Sequence, residues 1–365
     1  MKRILMCVNH DIVIFNFRKE LVKKLIAEGY EVHVSCPSGE RLKPLEKMGA
    51  VIHPTNLKRK SLNPFSDFTL YKSYRLLIKT IQPHFVLTYT IKPNIYASLA
   101  AKRHHVPYMP NITGLGRVFE KKGFLQWITK NLYQVAFKDA RVIFVQNESH
   151  RKLISSLLPK SFIHQLPGSG VNIDDFKPLP YPKEDNLSFA FIARVMKAKG
   201  IEEFLMAAKN IKKTDPQTTF HVAGFLDGNY KDVIESYHQQ GLIYYHGLVD
   251  DITPILKVSH AVILPSYHEG LSNVLLEAAA CGRPVIASNI PGCKETFVDN
   301  VSGFSIEPKN SESLYQAFMR FMKLSHSERE AMGKAGREHV TRYFNRELVV
   351  KAYLNAIENI ERDTI

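Results

Sequence analysis

The sequence predicts an α/β protein built from two doubly wound, parallel-sheet domains. Length is the first reason: 365 residues exceed one ordinary core and suit two domains of roughly 150–200 residues each. The second is alternation, because short β-like runs take turns with helical patterns, as in a parallel sheet covered on both faces. The third is a restart of the same alternation after a turn-rich stretch between Pro167 and Asp185.

In chain order, strands are expected at 4–8, 32–36, 85–88, 106–110 and 142–145. A helix is expected at 15–28, where Phe17, Leu21 and Leu25 recur at helical spacing with Val22 beside them and Lys19, Lys23 and Lys24 fall on other faces. Beyond the linker come strands at 187–192, 218–223, 242–246, 261–264 and 284–287, with helices at 201–212 and 271–280. From Ser311 the pattern is helical, with breaks at 324–328 and 343–345. The last helix, 346–361, has an apolar face made largely of Leu348, Tyr353, Leu354, Ile357 and Ile360. The domains are accordingly set at 1–168 and 169–345, with 346–365 as a C-terminal crossover helix packing back toward the first.

Composition narrows the class. With 45% hydrophobic and 23% charged residues the chain is that of a folded protein. Cys7, Cys36, Cys281 and Cys293 are dispersed, which indicates neither a zinc site nor a disulfide framework. The opening apolar run is too short for a signal-peptide core and no segment is long enough to span a bilayer, so a cytoplasmic setting is expected. Charge is uneven: residues 1–170 hold 27 Lys and Arg against 10 Asp and Glu, while the remainder holds 22 against 25. A first half at net +17 suits an anionic partner such as a membrane leaflet or nucleic acid.

The chemistry concentrates in the second half. The turn after the strand at 261–264 runs through Pro265 and Ser266 into a helix, where unpaired N–H groups can hold an anion. Glu269 lies in that turn and Glu277 two turns into the helix, so two carboxylates can meet different hydroxyls of one extended ligand. Leu275, Leu276 and Ala278 make the setting of Glu277 too apolar for a casual surface charge. At an equivalent strand–helix junction, the loop of Arg194 and Lys199 offers two cations suited to a diphosphate.

Arg194, Lys199 and Gly200, with Pro265, Ser266, Glu269, Gly270, Glu277 and Ala278, then Gly282, Pro284 and Val285, and Pro291, Gly292 and Glu295, closely resemble the retaining family-4 glycosyltransferases of GT-B fold. Gly170, Val171 and Asn172 with Phe176 and Pro178 resemble that family's interdomain element, and His246 with Gly247 its strand end. The resemblance implies two Rossmann-like domains facing each other across a cleft. It implies that Arg194 and Lys199 bind the donor diphosphate, that Glu277 binds the ribose and that Glu269 meets the donor sugar, with Arg194, Lys199 and Glu269 catalytic. Gly270, Leu271, Ser272 and Asn273 complete the donor site, the backbone N–H groups near Leu271–Asn273 holding the distal phosphate. The implied mechanism is front-face displacement, in which the departing nucleoside diphosphate helps deprotonate the acceptor. No metal or other cofactor is required: there is no D-x-D, and Asp174-Asp175 and Asp250-Asp251 suit loops and caps.

The first half matches less closely. Asn9 to Val13 hold no glycine where many members carry two. Gly114 and Gly116 instead give a glycine-bearing junction, so Gly114 is expected beside the donor sugar. The run Thr88, Thr90, Ile91, Lys92, Pro93, Asn94 is similar to bacterial members that extend polyprenyl-diphosphate-linked precursors. Lys92, Asn111, Thr113 and Arg117 are the expected acceptor contacts, with Lys58, Arg59, Lys60, Lys121 and Lys122 adding charge. Phe119, Phe124, Trp127, Tyr133 and Phe137, within 117–138, suit either a membrane-interface helix or a buried one.

The expected activity is transfer of a hexose or N-acetylhexosamine from a UDP-linked sugar to a lipid-linked saccharide, by a peripheral enzyme on the inner face of the membrane. A sugar-nucleotide epimerase on the same architecture is the second enzyme reading. A nucleic-acid-binding protein is the third, disfavoured because no recognised motif accompanies the charge.

Overall fold

The computed structural model describes residues 1–57, 63–114, 123–183 and 186–362. It divides into two compact units, Met1–Ser169 with Glu347–Ile365, and Gly170–Arg346.

The first unit contains strands β1 (Arg3–Cys7), β2 (Glu31–Cys36), β3 (Val51–Pro54), β4 (Phe85–Tyr89), β5 (Tyr108–Ile112), β6 (Ile143–Val145) and β7 (Ile163–Gln165). Between them lie helices α1 (Asp11–Ala27), α2 (Lys43–Lys47), α3 (Pro64–Ile81), α4 (Ile91–Arg103), α5 (Phe124–Phe137) and α6 (Glu148–Leu157). The strands pair in parallel in the order 3-2-1-4-5-6-7. Continuous apolar runs such as Ile4–Met6 are wholly buried, as expected of strands covered on both faces.

The inner stripe of α1 differs from expectation. Ile14, Arg18, Leu21, Val22 and Leu25 are buried, whereas Phe17 is only partly so. Arg18 takes the inner place because its guanidinium lies over the Tyr89 ring, 5.0 Å from the centroid, and donates to Phe17 O at 2.6 Å. The helix also begins at Asp11, four residues earlier than its periodicity suggests, with the His10 side chain accepting from Ile12 N.

The second unit contains strands β8 (Ser188–Ile192), β9 (Thr219–Ala223), β10 (Tyr244–Tyr245), β11 (Ala261–Leu264), β12 (Val285–Ser288) and β13 (Gly303–Ile306). Its helices are α7 (Ile201–Thr214), α8 (Lys231–Gln239), α9 (Thr253–Val258), α10 (Asn273–Ala280), α11 (Ser311–Lys323) and α12 (His326–Tyr343). Strand order is 10-9-8-11-12-13, again all parallel. The order reverses between β8 and β11, which makes their carboxyl ends the topological switch point where ligands bind in open α/β sheets.

The turn-rich stretch read as the domain linker is held down by arginines. Arg283, fully buried, donates to Leu256 O and Pro180 O, each at 2.7 Å. Arg337 donates to Phe176 O at 2.6 Å and Ala280 O at 2.7 Å. Phe176 and Pro180 lie outside regular elements and Leu256 and Ala280 near helix ends, so the guanidinium forks tie the irregular stretch to two helix ends.

The last helix, α13 (Arg346–Arg362), places Val349, Tyr353, Ala356, Ile357 and Ile360 in the core around β1 and β2. Leu348, expected on the apolar face, is exposed, because the buried stripe runs through Val349 instead.

Candidate functional site

The loops leaving β8 and β11 meet at the switch point of the second unit. Gly200 makes the approach possible: at φ +75° it has no Cβ penalty, and a Cβ there would lie 2.1 Å from Pro265 O. Across this contact the Lys199 ammonium is ion-paired and hydrogen-bonded to Glu269 Oε1, with both side chains largely buried. Ser266 Oγ donates to the same oxygen at 2.8 Å. Charge-assisted bonds of this kind are about twice as strong as neutral ones, and they set the Glu269 carboxylate in one orientation. Arg194 stays half exposed, its Nη1 3.5 Å from Asp227 Oδ2.

Gly292 closes the turn from the other side. At φ +89° it packs where a Cβ would meet Gly270 O at 2.7 Å, and its carbonyl accepts from Ser272 N at 2.8 Å. Its own N–H donates to Glu295 Oε2 at 2.7 Å. The Ser272 N–H is therefore already engaged and unavailable to a phosphate, which corrects the expectation for that donor. The anion-binding capacity lies instead in the first turn of α10, where the opening N–H groups have no carbonyl one turn back. Leu271 is buried against Val171, Leu276 and Phe344, so its side chain serves packing. Asn273 Oδ1 is buried without a hydrogen-bond partner, a polar atom held ready at the helix start.

Glu277 lies farther along α10. Burial pushes its carboxyl up to about 7, with the Arg346 guanidinium pulling the other way. A buried carboxyl whose desolvation outweighs the pull of its neighbouring guanidinium can accept from ligand hydroxyls.

In the first unit the expected acceptor residues lie at the carboxyl ends of β4 and β5. Lys92 is ion-paired to Asp67 at 2.7 Å, and Asp67 also accepts from Tyr96 at 2.8 Å. Just before it, Thr90 holds φ +70°, costly for a β-branched residue and of the kind found where a loop is fixed for function. Asn111 is a correction: it is fully buried and its amide donates to Tyr353 Oη at 2.7 Å, so it anchors α13 rather than reaching a substrate. Thr113 and Gly114 are partly exposed, with open space over Gly114. Arg117 lies outside the described residues, as do Lys58, Arg59, Lys60, Gly116, Phe119, Lys121 and Lys122.

Sequence reasoning missed Arg346, since nothing in a helix-opening arginine signals that it borders Glu277. No group of three His, Cys, Asp or Glu side chains among the described residues is arranged to hold a metal ion.

Two family models match the chain: "Glycosyl transferases group 1" over residues 173–339 and "Glycosyl transferase 4-like" over residues 3–147. The N,N'-diacetylbacillosaminyl-diphospho-undecaprenol alpha-1,3-N-acetylgalactosaminyltransferase of Campylobacter jejuni is 28% identical over 319 residues, 82% of this chain and 84% of that one. The UDP-Gal:alpha-D-GlcNAc-diphosphoundecaprenol alpha-1,3-galactosyltransferase of Escherichia coli is 27% identical over 317 residues, 80% of each. Among solved structures, Anabaena HepE in complex with UDP and glucose superposes with a TM-score of 0.78 at 15% identity, covering 98% of this chain and 100% of that one.

Proposed function

Because the chain belongs to the GT-B glycosyltransferases, we propose that it moves a hexose or N-acetylhexosamine from a UDP-sugar to a polyprenyl-diphosphate-linked saccharide, with retention of configuration. The observation that carries this reading is the convergence of the Lys199–Glu269 pair, the exposed Arg194 and the start of α10 at one switch point. That is a mouth for a diphosphate with a carboxylate at its edge. The named activities of the two relatives supply the acceptor class, and the UDP bound by HepE supports the nucleotide.

In the proposed reaction the donor's C1–O bond to the diphosphate breaks while a bond from the acceptor oxygen forms on the same face of the sugar. The hydroxyl proton passes to the leaving diphosphate. Arg194 and Lys199 stabilise the charge that develops there, Glu269 orients the sugar and Glu277 holds the ribose, so no metal is called for. The alpha linkages in both relatives' names accord with retention.

We further read the enzyme as a peripheral one on the inner membrane face. No helix among the described residues is long and apolar enough to cross a membrane. On α5, Phe124 and Trp127 are 77% and 61% exposed and their rings stack, while Tyr133 and Phe137 fill the core. The helix therefore packs with one side and offers aromatic surface on the other. A panel of nucleotide sugars against polyprenyl-diphosphate saccharides, read by product mass and anomeric configuration, tests the proposal. An inverted product rules out the mechanism, and an epimerised nucleotide sugar formed without acceptor supports the epimerase reading.

A further inference from the structure

Two features beside the switch point have no part in the reaction just proposed. Glu202 and Glu203 occupy the first turn of α7, where the helix dipole favours them, yet they add negative charge beside a site read as holding a diphosphate. Their partners give them another use. Glu203, 9% exposed, accepts from Tyr267 Oη at 2.6 Å, and Glu202 accepts from Tyr230 Oη at 2.8 Å while pairing with Lys197 at 3.1 Å. Tyr230 belongs to the loop after β9 and Tyr267 to the loop after β11, so one helical turn grips both neighbours of its own entry loop. Tyr267 N also donates to Ala198 O at 2.9 Å, and Lys309 Nζ stands over the Tyr267 ring, 5.2 Å from its centroid. Burial and the Glu203 hydrogen bond raise the Tyr267 hydroxyl above its ordinary range, so it remains a donor.

Tyr267 is two residues from Glu269 on the same short turn. We infer that Glu203 and Tyr267 are positioning residues whose hydrogen bond fixes the 265–270 turn to α7 and so keeps Glu269 in register with Lys199, neither residue touching substrate. The inference deepens the proposed reaction and rests on it for its kinetic reading. Glu203 Oε2 is buried without a hydrogen-bond partner, so the Tyr267 hydroxyl on Oε1 is the side-chain bond that holds this carboxylate, and a displacement of about 1 Å in a reacting group costs roughly 100-fold in rate.

The test compares Tyr267→Phe, Glu203→Ala, Glu203→Gln and the double variant Tyr267→Phe/Glu203→Ala with the wild type. Tyr267→Phe and Glu203→Ala are expected to lower kcat about 10- to 100-fold with the Kd for UDP changed by less than about threefold. The double variant should be no worse than about twofold below either single one, because both remove the same bond. Glu203→Gln still accepts from Tyr267 and is expected to keep at least about a third of kcat. A Tyr267→Phe kcat within about twofold of wild type, or multiplying losses in the double variant, overturns the brace. Equal losses in Glu203→Gln and Glu203→Ala, or loss of UDP binding in step with kcat, also overturn it. Amide exchange across 265–272 gives a readout independent of substrate: at least about tenfold acceleration in Tyr267→Phe is expected, and unchanged exchange refutes the brace. Absence of transfer by the wild type refutes the proposed function instead, so the two failures are distinguishable.

Discussion

Glu269 and Glu277 sit eight residues apart in opposite electrostatic settings. Glu269 is held by an ammonium and a hydroxyl, and Glu277 is desolvated with its carboxyl near 7. Removing either partner of the first pair should disorient the other, so Glu269→Gln and Lys199→Ala are expected to lose at least about 100-fold in transfer while circular dichroism stays native. Near-normal turnover in both rules out the assignment. Glu277 gives a prediction of opposite sign for stability. Its folded-state value is raised, so its contribution is fully present below the usual carboxylate range and is lost as pH rises through about 7. Glu277→Gln is therefore expected to stabilise the ligand-free protein at pH 8 by about 1–3 kcal/mol while weakening UDP binding. Denaturant titrations at pH 4 and 8 check this, since the gain should nearly vanish at pH 4.

At the level of elements, the helices show what their periodicity left open. On α13, Tyr353 meets Asn111, the Tyr89 ring at 6.2 Å and the Phe144 ring at 4.4 Å. Tyr353→Ala is expected to destabilise the first unit by about 3–5 kcal/mol, measured by chemical denaturation, because it opens a cavity and strands the Asn111 amide. On α6, His150 is buried and its imidazole is pushed down to about 4 by desolvation. The unfolded chain takes up that proton near pH 6.5 and the folded one does not, so this stability is present above 6.5 and lost as pH falls toward 4. The loss approaches about 2–3 kcal/mol, and His150→Gln is expected to flatten the unfolding free energy between pH 6.5 and 4. An unchanged slope would mean that His150 is solvated.

For the whole molecule, the relevant property is the basic first half of the chain. Exposed Phe124 and Trp127 on α5, together with that charge, predict flotation with anionic vesicles and not with neutral ones, declining as salt shortens the screening length. Equal recovery with both would count against charge-driven docking. The alternation of strand and helix, the restart in the second half and the Glu269, Lys199 and Arg194 motifs were all legible along the chain, because they depend on local periodicity and on residue types at short spacing. Asn111 was misjudged because spacing places it at a strand end without saying what packs over it: a tyrosine 242 residues away does. Arg18 was passed over because a charge in an apolar stripe reads as solvated until an aromatic ring is seen beneath it. Sequence alone thus determined the fold class, the number of sheets and the segments from which the candidate site is proposed. Which loops meet at a switch point, which N–H groups are already bonded and which cation lies beside the buried Glu277 depend on contacts between segments far apart in the chain, and only the tertiary structure decided them.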